Sequence, residues 1–271
     1  MRTRLGPIVG LVAAGVLALA SSAGAGMADR IGATFVMMSD QFIKAFNPLE
    51  GLVVGVEGST LYLDLGEGNG AQVGQEYTIF RKGEEFRHPL TRKVLGRFEE
   101  ILGHAQIRRV QPRFSEAVFV PIDGKPLPAS DDGVRITRGR IKVGVTPVLD
   151  LTQAQTKPDL RRVPYLMAVV LEQSKRFQVS DPFTVNDLFV SGGEDVKAVL
   201  ALPERAVSIS KRFDVAGWVV PVLIERRGVV YVDVTWISAV TGTAMFSRRE
   251  PLLPPAAAEE QRFSWEPVSE D

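Results

Sequence analysis

The chain has 271 residues, 32 basic against 32 acidic side chains and no cysteine. A formal net charge of zero argues against nucleic-acid binding, which needs a basic excess to neutralise phosphates. The missing thiol excludes disulfides, thiolate zinc sites, a cysteine nucleophile and lipid attachment through an N-terminal cysteine.

In chain order, Met1-Arg2-Thr3-Arg4 precedes an apolar run from Leu5 to Ala20 and the small residues Ser21 to Gly26. A charged start, a short apolar core and Ala23-x-Ala25 read as a secretory signal peptide over residues 1–25, placing the mature protein in the periplasm, at the outer-membrane periphery at most. The alternative is a retained anchor; no later stretch approaches membrane-spanning length. Residues 26–48 hold an amphipathic helix whose Ile31, Phe35, Met38, Phe42 and Phe46 share a face, before Asn47-Pro48 stops it. That stripe either packs on the following domain or offers Phe35, Met38, Phe42 and Phe46 to a partner chain.

From Gly51 the period becomes two. Residues 52–56 and 60–65 read as strands around the turn Glu57-Gly58-Ser59, with more strands at 76–81, 99–110 and 114–120. Short, closely spaced strands predict a small barrel over residues 49–136, with a loop at 121–132. Strand 140–149, helix 158–175, strand 177–179, helices 183–189 and 194–201 and strands 215–225, 229–240 and 244–248 follow. This order predicts an α/β domain over residues 137–252, its mixed sheet covered by helices, and a disordered tail at 253–271. The fold class is therefore α+β.

No catalytic, metal or cofactor site is legible. Gly66-x-Gly68-x-Gly70 leads into a strand instead of opening a helix, so it is no phosphate loop. His88 and His104 stand outside any zinc-ligand spacing, and no nucleophile elbow is present. The basic doublets Arg108-Arg109, Arg161-Arg162, Arg226-Arg227 and Arg248-Arg249 are scattered and flanked by acids. Trp218, Tyr231 and Trp236 are candidate platforms for a cell-wall polymer, or else core.

Residues 51–120 carry Gly51-Leu52-Val53-Val54-Gly55-Val56, Asp64-Leu65-Gly66, Val73-Gly74, His88-Pro89-Leu90-Thr91 and Val94-Leu95-Gly96. This resembles the C-terminal SH3-like β-barrel of flagellar assembly protein T and related envelope proteins. The family places glycine after the threonine, where this chain has Arg92. Residues 140–250, with Leu171-x-x-Ser174-x-Arg176-Phe177 and Val179-Ser180-Asp181-Pro182, are similar more loosely to the α/β domain of TolB amino-terminal regions and curli-secretion proteins. The resemblance implies a non-enzymatic envelope adaptor or assembly factor that binds protein partners of flagellar or secretion machinery. A cell-wall polymer-binding module and an unrecognised periplasmic hydrolase remain the alternatives.

Overall fold

A computed structural model describes residues 26–155 and 157–254. The signal-peptide reading of residues 1–25 and most of the tail reading fall outside them. Within the described residues the chain builds an antiparallel barrel and a mixed sheet covered by helices, the α+β class expected.

The barrel runs β1 (Leu49–Glu57), β2 (Thr60–Leu63), β3 (Glu76–Arg87), β4 (Val94–Val110), β5 (Ser115–Pro121) and β6 (Gly133–Ile136). It closes in the order β1-β2-β5-β4-β3-β6. Alternate residues point inward, so Val53, Leu61, Leu63, Tyr77, Ile79, Ala105, Ile107, Ala117, Phe119 and Val134 form its core. Closure depends on β6, which pairs with both β1 and β3. Sequence reading assigns no strand there, because four residues are too few to display a period.

The second unit contains α1 (Met27–Lys44), β7 (Ile141–Val145), β8 (Leu149–Asp150), α2 (Val163–Gln173), β9 (Phe177–Val179), α3 (Pro182–Val190), α4 (Val196–Ala201), α5 (Pro203–Phe213), β10 (Gly217–Arg226), β11 (Val229–Ser238) and β12 (Ala244–Pro251). Sheet order is β12-β11-β10-β7-β9, with β8 also on β10. Strand β10 runs parallel to β7 and antiparallel to β11. Its side chains alternate between two buried faces: Val219 and Leu223 meet α1 and α2, while Trp218, Val220 and Val222 meet α3, α4 and α5. Burial on both faces explains its near-continuous apolar run. Pro221 has no N–H to donate and lies opposite residues 146–148, where the pairing passes from β7 to β8. Helix α5 was not anticipated, since only Ala206, Ile209 and Ser210 of its eleven residues are buried.

The α1 stripe packs inside the chain. Phe35, Met38, Phe42 and Phe46 are all buried with Phe177, Trp236 and the β7 valines. They form no docking face, because this helix covers one side of the sheet and burial there outweighs exposure by roughly 1.5–3 kcal/mol per side chain. At the other end, Leu253 is held by Arg30 Nε to its carbonyl at 2.7 Å and by its own N–H to Thr34 Oγ1 at 3.1 Å. The tail expectation at 253–271 therefore begins too early by at least this residue; 255–271 lie outside the described residues.

Barrel and sheet are tied together by polar bonds. Gln75 Nε2 donates to the Ala45 carbonyl at 2.9 Å, Ser238 Oγ to Glu76 at 2.7 Å and Gln106 Nε2 to Thr241 Oγ1 at 2.8 Å. Buried Arg176 donates to the carbonyls of Phe46, Thr137 and Gly139, joining the end of α1 to the segment between the two units.

Candidate interaction surface

The residues that invite a catalytic reading are dispersed. His88 lies at the tip of the β3–β4 hairpin, whereas His104 lies on the barrel wall facing the sheet. Among the described residues no three His, Asp or Glu side chains gather as metal ligands. In the glycine loop, the N–H groups of Glu67, Gly68, Asn69, Gly70 and Ala71 bond to the chain's own carbonyls, so none is left to cradle an anion. Gly66 is required because a Cβ would come within 2.5 Å of the Arg113 carbonyl carbon.

Trp218, Tyr231 and Trp236 do not make a common platform. Trp218 is fully buried on the α5 face, its Nε1 donating to Ser210 Oγ at 2.8 Å. Trp236 packs on the opposite face, edge-on to Phe46 at 4.8 Å between centroids. Half-buried Tyr231 sits opposite Ile224, six positions along β10 from Trp218.

A slot of about 280 Å³ separates the barrel from the sheet. Its barrel wall is a cross-strand row, with Thr78 directly opposite both His104 and Arg135. Phe46, Trp236 and Phe246 line the other side.

The most exposed apolar surface lies elsewhere, on the β3–β4 hairpin. Strand β3 pairs with β6 only through Thr78–Phe80, and β4 meets β5 only from Gly103 onward. Between Arg81 and Ile101 the two strands therefore bond to each other, and among the described residues no strand pairs with either outer edge. Such free edges are templates for another strand. This arm carries Leu90 (86% exposed), Phe98 (61%), Leu95 (55%) and Phe86 (48%), with Val94 and Ile101 also exposed. Phe86 and Phe98 touch edge-on at 5.5 Å between centroids, which ties the two strands but buries neither ring.

The root of the arm is braced. Arg81 makes a two-pronged bond to buried Asp132 at 2.8 and 2.7 Å and reaches the Leu127 carbonyl at 3.1 Å. That carboxylate bond raises the Arg81 pKa against the opposing effect of desolvation. Asp132 also accepts from the Ala129 N–H at 2.7 Å, so the fork fixes the loop before β6. Above it, the Arg135 guanidinium stacks 4.2 Å from the Phe80 ring centroid and pairs with Glu99 at 2.6 Å. Gly133 leaves room for that ring, since a Cβ would approach Phe80 Cζ to 2.3 Å.

At the tip, His88 Nδ1 accepts from the N–H groups of Leu90 and Thr91, both at 3.2 Å. Arg92 adopts φ = 57°, the left-handed region. The motif residues His88 and Thr91 thus shape a turn, and the family glycine that Arg92 replaces is explained by its backbone angle. Residues 86–98 contain Arg87, Arg92, Lys93 and Arg97 and no acid, although the chain is neutral overall. Sequence reading missed this arm because it ends one strand at 81 and begins the next at 99, leaving the segment between them inside the barrel domain without an element of its own. The available signal was a hairpin longer than the barrel needs, with an acid-free middle.

No family model matches this chain. A stretch of 90 residues is 37% identical to an uncharacterized protein of Aquifex aeolicus (strain VF5), covering 33% of this chain and 18% of that protein. The match thus spans less than a fifth of the relative's length. Among solved structures, the chain is similar to the C-terminal domain of LpoB from Escherichia coli: 10% identity, TM-score 0.35, covering 44% of this chain and 86% of the other. A lipoprotein from Neisseria meningitidis is similar at 13% identity and TM-score 0.34, over 46% of this chain and 86% of that one.

Proposed function

We propose that this protein is an exported, non-enzymatic adaptor of the cell envelope that binds a protein partner through the β3–β4 arm. The observation that carries this reading is the arm itself: two unpaired strand edges with six exposed apolar side chains, held out on a braced root. A monomeric protein gains nothing from exposing this surface, and contiguous exposed apolar residues mark interaction sites. Export through residues 1–25 supplies the compartment, and the resemblance of residues 51–120 to the flagellar assembly protein T barrel supports a partner from flagellar or secretion-type machinery.

The test is site-specific photo-crosslinking in cells that produce the protein. A photoreactive residue at Phe98 or Leu95 yields a discrete crosslinked species, while one at exposed Val229, far from the arm, does not. Trimming residues 83–98 to a two-residue turn abolishes the species and leaves the thermal midpoint within about 3 °C. Equal crosslinking from both sites, or none from the arm, overturns the reading.

A further inference from the structure

We infer that the arm captures an extended acidic segment of the partner, added as a strand along the free edge of β4 between Val94 and Ile101. The inference rests on the adaptor reading and goes further by naming the edge and the chemistry. Three observations select it. First, the two edges differ. The β4 edge presents Val94, Leu95, Phe98 and Ile101, all exposed, whereas Phe86 is the one exposed large apolar side chain that β3 offers.

Second, the charge near the β4 edge is arranged for an anion. Glu99 is neutralised by Arg135 at 2.6 Å and Glu100 by Lys125 at 3.1 Å. Glu85 is held by both Arg87 and Arg97. That leaves Arg92 and Lys93 without an acidic partner among the described residues, in the middle of the stretch 86–98 with its four cations and no carboxylate. Complementary charge steers association and fixes register, and it penalises basic competitors.

Third, the unpaired backbone favours a peptide over a lipid surface. A basic, apolar hairpin tip could also be drawn to anionic headgroups. Sinking it into a bilayer would strand the edge N–H and C=O groups of residues 94–101, each at a cost of several kcal/mol. A partner strand satisfies those same groups, and its alternate side chains reach Phe98 and Ile101.

The experiment uses the full chain and three probes: a short peptide of alternating valine and glutamate as long as the free edge, its valine–lysine counterpart, and vesicles of mixed phosphatidylcholine and phosphatidylglycerol. Binding is read by anisotropy and located by amide hydrogen exchange. The glutamate peptide binds, slows exchange at residues 94–101, and weakens about tenfold between low and high salt as screening shortens the reach of the charges. The double variant R92E/K93E loses about tenfold in affinity without a change in thermal midpoint. Failure of the glutamate peptide to bind, equal binding of the lysine peptide, protection on β3 or away from the arm, or vesicle binding in its place overturns the inference. The two readings fail distinguishably: a crosslink from Phe98 to a partner segment lacking acids removes only the acidic-strand inference, whereas absence of any arm crosslink removes the adaptor reading and the strand inference with it.

Discussion

Arg176 is the side chain whose removal most directly tests how barrel and sheet are joined. Its guanidinium is buried and its hydrogen bonds go to three carbonyls with no carboxylate among them: Phe46 at 2.5 Å, Gly139 at 2.6 Å and Thr137 at 2.5 Å. Burial lowers its pKa, yet a guanidinium stays charged in proteins. Each bond from a charged donor is worth about 1.5–3 kcal/mol. Thr137 and Gly139 are exposed residues whose carbonyls rehydrate once the donor is gone, so each is counted at about 0.5–1 kcal/mol. The Phe46 bond is fully buried and counts in full. Arg176→Met is therefore expected to cost about 3 kcal/mol, after the apolar stem is retained and some desolvation cost is recovered. For a urea m-value of about 2–3 kcal/mol/M this lowers the unfolding midpoint by about 1 M, measured by circular dichroism. Arg176→Lys recovers less than half, because one ammonium cannot span three carbonyls in different segments. A midpoint shift under about 0.3 M, or a lysine variant equal to the parent, would refute the claim that this fork joins the two units.

Other expectations follow from single contacts. Arg92→Gly raises stability by about 0.5 kcal/mol in urea unfolding, since relief of a left-handed backbone (about 1–2 kcal/mol) exceeds the entropy glycine adds to the unfolded chain. Gly133→Ala costs about 1–3 kcal/mol in the same assay, because its Cβ would overlap the Phe80 ring, and it loosens the arm root as read by exchange at Arg81 and Lys82. Asp181 caps α3 by accepting from the N–H groups of Phe183 and Thr184. Its pKa is lowered chiefly by the Thr184 hydroxyl bond, against desolvation. A depressed folded-state pKa means stability present above the unfolded value and lost as pH falls through the folded one. Asp181→Ala is thus destabilising at neutral pH, and its difference from the parent vanishes in strong acid; a gap that persists there would remove the cap from the account. Trp218→Ala costs about 3–5 kcal/mol by thermal unfolding, as expected for a fully buried indole with one bonded N–H.

Much of the fold is legible locally. The α1 stripe, the alternation in β1 and β2, the continuous apolar run of β10 and the turn at Gly58 each announce themselves over a few residues, because side-chain direction repeats with a fixed period in helix and strand. The motif Leu171-x-x-Ser174-x-Arg176-Phe177 was visible as a pattern, but its purpose was not. Leu171 and Phe177 are core, and Arg176 bonds to carbonyls at positions 46, 137 and 139. Strand β6 and helix α5 were illegible for opposite reasons: β6 is too short to show a period, and α5 buries only small or single apolar residues.

What the amino-acid order determines by itself is the element types, their sequence along the chain, the absence of thiol chemistry and the grouping of apolar residues on particular faces. It does not determine which of those faces is covered. Phe35, Met38, Phe42 and Phe46 look as available for a partner as Phe86, Leu90, Leu95 and Phe98, yet the first set is buried and the second exposed. The difference is non-local. Residues more than a hundred positions away, Phe177, Trp236 and Phe246 among them, fold back over the α1 stripe, while among the described residues no strand pairs with the outer edges of the hairpin beyond Phe80 or before Gly103. Periodicity records which side of an element is apolar; only the path of the rest of the chain decides whether that side meets the protein's own core or is left for another molecule.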